Sequence, residues 1–270
     1  MPDPTTYTSK LASTAVLVIG GSSGLGFGVA CALLEHGASH VIISSSQQSR
    51  VDDAIRRLEK TYPDAVGRGA KLVGVACNLG EPDKLEGEVR QLFTGVEKLL
   101  SGRKLNHVVF TAGDGLAMKE IEEWDMPFVQ KAGSVRFFAP LMVAKYARKA
   151  LVWDSRSSIT LTTGSVSDKP IPGWTVVASY AAGLHGMVRN LALDLKPVRV
   201  NLVSPGPVET EMWDAHGQEK KQEMLESMAA KTTTGKVGSV EDVVEAYLAA
   251  MKDRNMSGSV VNSDSGHLLV

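Results

Sequence analysis

The seven residues 20-GGSSGLG-26 follow the apolar, β-branched run 15-AVLVI-19 and precede 27-FGVACALLEHGA-38. Strand, glycine turn and helix in that order make a device for binding a diphosphate. Gly20 forms the tight turn, Gly24 lets backbone approach the phosphates, and Gly26 allows close packing of helix on strand. Ser22, Ser23 and Leu25 complete the cradle, and the helix behind them offers unpaired N–H groups and a positive dipole end. A second stretch bears on which dinucleotide is bound. A carboxylate at the end of the second strand holds a ribose 2′-hydroxyl, yet 44-SSSQQSR-50 has no acid before Asp52. Ser45, Ser46 and Arg50 suit a 2′-phosphate, which a carboxylate would repel. NADP(H) is therefore expected over NAD(H); the alternative is a polar loop in which Arg50 only opens a helix.

The elements that must position these residues are legible from pattern. Short apolar runs at 15–19, 40–44, 71–77, 106–112, 158–163, 199–204 and 258–262 read as strands, with helical segments between them. The segment 239-SVEDVVEAYLAAM-251 opens with Ser239 and Asp242 spaced for a capping box. Strands alternating with helices, each strand nearly all apolar, predict a parallel sheet covered on both faces. No linker rich in Pro, Gly or Ser divides the 270 residues, so a single α/β domain of doubly wound, Rossmann type is expected, with residues 1–12 as a loose arm.

Composition narrows the function classes. The net charge of −1 gives no positive field for nucleic acid or an anionic membrane surface. No apolar run reaches the roughly 18 residues of a membrane span, and the N-terminal residues lack a signal-peptide pattern. Cys31 and Cys77 make neither a disulfide framework nor a metal-site spacing. A cytoplasmic protein without a metal, acting on a small molecule, is the expectation.

The segments 18-VIGGSSGLG-26, 108-VVFTAG-113, 199-RVNLVSPGPVET-210 and 264-DSG-266 together resemble the short-chain dehydrogenase/reductase family over nearly the whole chain. The resemblance implies a sheet of about seven parallel strands. It implies that Asn78 and Leu79 line the adenine, that Ala112 and Gly113 lie along the cofactor, and that Pro205, Gly206, Val208 and Thr210 cradle the nicotinamide. It also implies a substrate lid over 209–235 and a homodimer or homotetramer, with the helix over 175–195 pairing with its symmetry mate.

Such proteins carry Asn, Ser, Tyr and Lys, the tyrosine acting as proton donor with its pKa lowered by the lysine. Aligned without gaps on 191-LALDL-195, the tyrosine and lysine positions fall on Val177 and Ala181; the family's serine, a short stretch before its tyrosine, lands on Gly164, and the segment 125-DMPFVQKAGSVRFF-138 puts Gly133 at the asparagine. Anchoring on Tyr180 instead puts Leu184 at the lysine position, so the pair is missing in either register. Tyr180, three residues from Val177 on nearly the same side of the helix, is expected to reach the pocket. Without a neighbouring cation it is a poor acid at neutral pH. Ser165, beside the lost serine, is a candidate substrate contact or a turn former; His185 is a packed or solvated helical histidine.

Hydride transfer to a ketone builds negative charge on oxygen and requires an acid. Transfer to an iminium discharges a positive charge already present and requires orientation only. The sequence thus fits reduction of an imine, an iminium or a similarly activated acceptor. A narrower resemblance points the same way. The segments 134-SVRFFAPLMVAK-145 and 168-DKPIPGW-174 are similar to those of fungal short-chain reductases of malbrancheamide and paraherquamide biosynthesis, which also lack the tetrad. That resemblance implies NADPH-dependent iminium reduction followed by guidance of an intramolecular Diels–Alder closure on a prenylated indole. It marks Arg136 and Trp174 as candidates. Arg136 otherwise pairs across a subunit interface, and Trp174 otherwise packs its loop onto the core. Where those proteins read P-D-P-G-W, this chain has Ile171 in place of the Asp. Met212, Trp213, Met224 and Met228 make either an adaptable apolar lid or a packed helix face. The leading expectation is an NADPH-dependent reductase of fungal-type secondary metabolism; the others are a reductase that also cyclises, and a non-catalytic NADP(H)-binding protein.

Overall fold

The computed structural model describes residues 4–211 and 218–270. Seven parallel strands form one sheet: β1 (Ala15–Ile19), β2 (His40–Ser45), β3 (Lys71–Ala76), β4 (His107–Phe110), β5 (Ser158–Thr162), β6 (Arg199–Pro205) and β7 (Val260–Ser263). Their order is β3-β2-β1-β4-β5-β6-β7, so the winding reverses between β1 and β4. A reversal of that kind opens a crevice at the carboxyl ends of the two strands, where ligands of such sheets bind.

The helices are α1 (Gly24–Glu35), α2 (Gln48–Thr61), α3 (Pro63–Gly67), α4 (Leu85–Leu100), α5 (Met126–Gly133), α6 (Ala139–Ala150), α7 (Thr175–Asp194), α8 (Gln218–Ala229) and α9 (Val240–Lys252). A π-helical turn over Ser134–Phe138 joins α5 to α6. Side chains of β1 show why both faces need cover. Ala15, Leu17 and Ile19 enter the core with α4, α6 and α7, while Val16 and Val18 enter the core with α1, α2 and α9. A strand buried at every position must be apolar at every position, which is what 15-AVLVI-19 encodes.

Helix α9 starts at the expected capping box, Asp242 N donating to Ser239 Oγ at 3.1 Å and Ser239 N to Asp242 Oδ2 at 3.3 Å. At its far end the buried Arg199 guanidinium donates to Ala250 O, Met251 O, Asp253 O and Met256 O, and to Ser155 O on the other side. One side chain of β6 thereby satisfies carbonyls that the helix cannot pair itself. The expected loose arm is corrected at its end: Leu11 is fully buried against α1, and residues 5–12 form hydrogen-bonded turns. An apolar residue next to a buried strand is held by that core. No described helix is long and apolar enough to cross a membrane.

Candidate functional site

The glycine turn closes against the end of β4. Gly20 has φ +89°, and a Cβ there would fall onto the backbone of Thr111 and Ala112; a Cβ at Gly26 would fall onto the Gly20 carbonyl. Ser22 Oγ and Ser45 Oγ lie 2.9 Å apart, tying the turn to the end of β2. Ser23, with an extended backbone, is the N-cap of α1 and leaves its side chain uncommitted to capping. Leu25 is half-buried behind the turn; Ser46 and Arg50 are exposed beyond β2, where no carboxylate precedes Asp52. Across β3, Leu79 is buried and Asn78 is exposed, its Oδ1 accepting from Gly80 N at 3.0 Å and its N–H donating to Glu88. After β6, Gly206 passes directly over Asp264, and Val208 is buried and bridges to Gly238.

The turn already receives an oxyanion. Gly24 N, at the start of α1, donates to Glu211 Oε2 at 2.9 Å. Glu211 follows Thr210 at the foot of the segment 209–235, and its carboxylate stands where a phosphate oxygen would be received by a helix N-terminus. The donor set thus fits a dinucleotide diphosphate, held by the turn with Ser22 and Ser45 nearby.

Beside the cradle, a cavity of about 490 Å³ opens at the carboxyl ends of β4, β5 and β6. Gly164, Val177 and Ala181 line it, three of the four positions where the tetrad would stand. Tyr180 does not. Its hydroxyl donates to Val129 O at 3.0 Å and its ring sits between Phe137 and Phe138, with centroids 5.1 and 5.7 Å away. The expectation that Tyr180 reaches the pocket is corrected. Gly133 explains the placement, since a Cβ on it would lie 2.6 Å from Tyr180 Cζ. The space an asparagine would fill is taken by the tyrosine ring. Burial alone raises the Tyr180 pKa, with no cation to lower it.

Arg136, Trp174 and Ser165 all line the cavity. Arg136 sits at the middle of the π-helical turn, a distortion that redirects side chains and recurs at functional sites. Its Nε donates to Asp114 Oδ1 at 3.2 Å and its Nη2 to Asp114 O. Burial lowers its pKa, and Asp114 opposes that shift. Gly113 permits the approach: a Cβ there would lie 2.8 Å from Arg136 Nη2. Trp174 is the half-buried N-cap of α7, and Ser165 opens a short 3-10 turn after β5. Met228 of α8 also faces the cavity; Met224 is half-buried elsewhere, and Met212 and Trp213 lie outside the described residues. His185 packs against Ser167 at 3.1 Å, away from the lining. Sequence reasoning missed Asp114, Lys169, Lys231 and His267. The last three line the cavity, and Asp114 holds Arg136. They come from four loops or element ends, and only the finished fold brings them together.

Similarity to known proteins agrees with this architecture. The model of the SDR-like Rossmann domain matches residues 7–270. The short-chain dehydrogenase/reductase fsr5 of Gibberella fujikuroi is 49% identical over 264 residues, covering 97% of each chain. The short-chain dehydrogenase/reductase malC of Malbranchea aurantiaca is 37% identical over 257 residues, covering 94% of each chain. A solved structure of the MalC reductase/Diels–Alderase superposes with a TM-score of 0.90, covering 98% of this chain and 100% of that one. A short chain dehydrogenase from Burkholderia cenocepacia in complex with NADP, 22% identical, shares the fold with a TM-score of 0.79, covering 96% of this chain and 99% of that one. With the glycine turn, the strand order and the match running almost end to end, the chain belongs to the short-chain dehydrogenase/reductase family of oxidoreductases.

Proposed function

We propose that the chain is an NADP(H)-dependent reductase whose acceptor takes hydride without a tyrosine acid, namely a cyclic imine or a similarly activated small molecule. One observation carries this reading. Gly164, Val177 and Ala181 face the cavity, no tyrosine lines it among the described residues, and Tyr180 spends its hydroxyl on Val129 O. A ketone held there would meet no phenolic proton donor as charge built up on its oxygen. An imine takes its proton from water, so the cavity has only to orient it and exclude solvent. Serines at the end of β2 and Arg50 in the first turn of α2, with no acid before Asp52, support NADP(H) over NAD(H).

The same lining favours a reductase over a reductase that also cyclises. Ile171 stands at the position of the Asp in the similar fungal proteins, and no Asp or Glu lines the cavity among the described residues. A cation awaiting cyclisation would find no carboxylate to steady it. A role in fungal-type secondary metabolism fits the relatives named above.

The test is NADPH oxidation against matched panels of ketones and cyclic imines. Turnover of the imines alone supports the proposal. Comparable turnover of the ketones contradicts it, and tight NADPH binding without turnover of either favours a non-catalytic binding protein.

A further inference from the structure

The titratable lining of the cavity has one sign. Arg136, Lys169, Lys231 and His267 face it, and no carboxylate does among the described residues. Carboxylates are not scarce close by. A separate cavity of about 500 Å³ on the outer side of α1 has Glu35, Glu209, Glu211, Glu241 and Glu245 in its wall. Among the described residues Lys221 is the one cation in that wall, paired with Glu209 at 3.1 Å.

Three of the four basic residues meet at one corner, each from a different part of the chain. Lys169 follows the 3-10 turn after β5, Lys231 ends the turn after α8, and His267 begins a last 3-10 turn over His267–Leu269. Lys169 Nζ donates to His267 O at 2.8 Å and also to Val270 O; His267 Nδ1 donates to Lys231 O at 2.8 Å. These bonds fix the corner and already commit Lys169 to the His267 carbonyl and to an oxygen of Val270, the last residue of the sequence. Lys231, exposed to solvent, has no ion-pair or side-chain hydrogen-bond partner among the described residues. Arg136, by contrast, already has Asp114. Trp174, Val177, Ala181 and Leu184 give the wall an apolar side; Lys169 is half-buried beside it and Lys231 is exposed at its rim. A bare iminium is repelled by this corner, whereas a carboxylate is attracted to it.

We infer that the substrate carries its own carboxylate, which docks on the corner of Lys231 and Lys169 while its apolar part lies along Trp174 and Val177. The inference rests on reading this cavity as the hydride-transfer site for an imine. The two requirements meet in one molecule: in a cyclic imino acid the carboxylate offsets the protonated nitrogen, and the cavity receives a net-neutral zwitterion. Lys231 is then a specificity-determining residue for the acid.

The experiment uses a dihydroisoquinoline bearing a carboxylate and its methyl ester, with the full chain. Binding of each is measured by calorimetry with NADP⁺ present, and reduction of each by NADPH oxidation. The acid is expected to bind about tenfold more tightly than the ester. Lys231→Gln is expected to close that gap between acid and ester, and Lys231→Arg to restore it. An acid that binds no better than its ester, including the case where neither binds, overturns the inference, as does a gap that survives Lys231→Gln. Reduction of acid and ester alike with no difference in binding removes the carboxylate and leaves the imine reading standing. A tenfold gap with no reduction of either removes the imine reading and leaves the anion site.

Discussion

At the residue scale the site is defined by which side chains are already committed. Tyr180 is held by Val129 O and two phenylalanine rings, and Arg136 is held by Asp114. Among the described residues Glu211 accepts from Gly24 N, at the place a diphosphate needs. Two like charges in one cradle repel, so Glu211→Gln is expected to tighten NADPH binding about threefold at low salt, with the gain fading as salt rises. Fluorescence titration with NADPH checks this; unchanged affinity at low salt would show that Glu211 leaves the cradle freely. Asp114→Asn is expected to raise KM for the acceptor while leaving NADPH affinity unchanged, because Asp114 acts through the position of Arg136. The strand, glycine turn and helix were legible in the sequence because such a unit is local, spanning the 21 residues Ala15–Glu35. The orientation of Tyr180 was not, since it depends on Gly133, Phe137 and Phe138, forty or more residues away. Helical spacing put Tyr180 near Val177 but could not say which neighbour would claim its hydroxyl.

At the scale of elements, two buried groups of the sheet make ties beyond the strand ladder, one from strand to helix and one from strand to strand. Arg199 of β6, 3% exposed, closes the carbonyl end of α9. Arg199→Met is expected to cost about 3 kcal/mol in urea unfolding, because the carbonyls it serves lose their donors. His107 of β4 is 2% exposed, with Nδ1 2.8 Å from Ser158 Oγ of β5. Burial, with the Arg199 charge added to it, pushes its pKa from 6.5 down to about 3. The folded protein therefore keeps this imidazole neutral at pH values where the unfolded chain binds a proton. The stability it contributes is complete above about pH 6.5 and declines as pH falls towards 3, by about 1.4 kcal/mol per pH unit. His107→Gln is expected to flatten the pH dependence of unfolding in that window; an unchanged slope would place the titration elsewhere. The strands and the capping box of α9 were legible because each is a local pattern of apolar and polar residues. The burial of Leu11 was missed because a single leucine in a polar, proline-containing stretch carries no period, and only the α1 surface beneath it makes it core.

At the scale of the molecule, the reversal of strand order between β1 and β4 sets cradle and cavity side by side. Alternating strands and helices were enough to expect that sheet. The basic corner of Lys169, Lys231 and His267 was not foreseeable, since it unites residues up to 98 positions apart. The outer face of α7 leaves Ser179, Ala182, Gly186, Arg189 and Leu193 exposed at helical spacing, Leu193 at 69%. We propose that this face pairs with a second copy, giving a homodimer or homotetramer. Light scattering should then give a multiple of the chain mass that Leu193→Arg lowers, and a monomeric parent would contradict the pairing. The central claim is that hydride transfer here proceeds without a tyrosine acid. It is tested most directly by the pH profile of kcat/KM for NADPH-dependent reduction of a cyclic imine, compared between the parent chain and Tyr180→Phe. The account predicts superimposable profiles, with rates within about twofold at every pH. A loss of about a hundredfold, the size expected for removing a general acid, would contradict it.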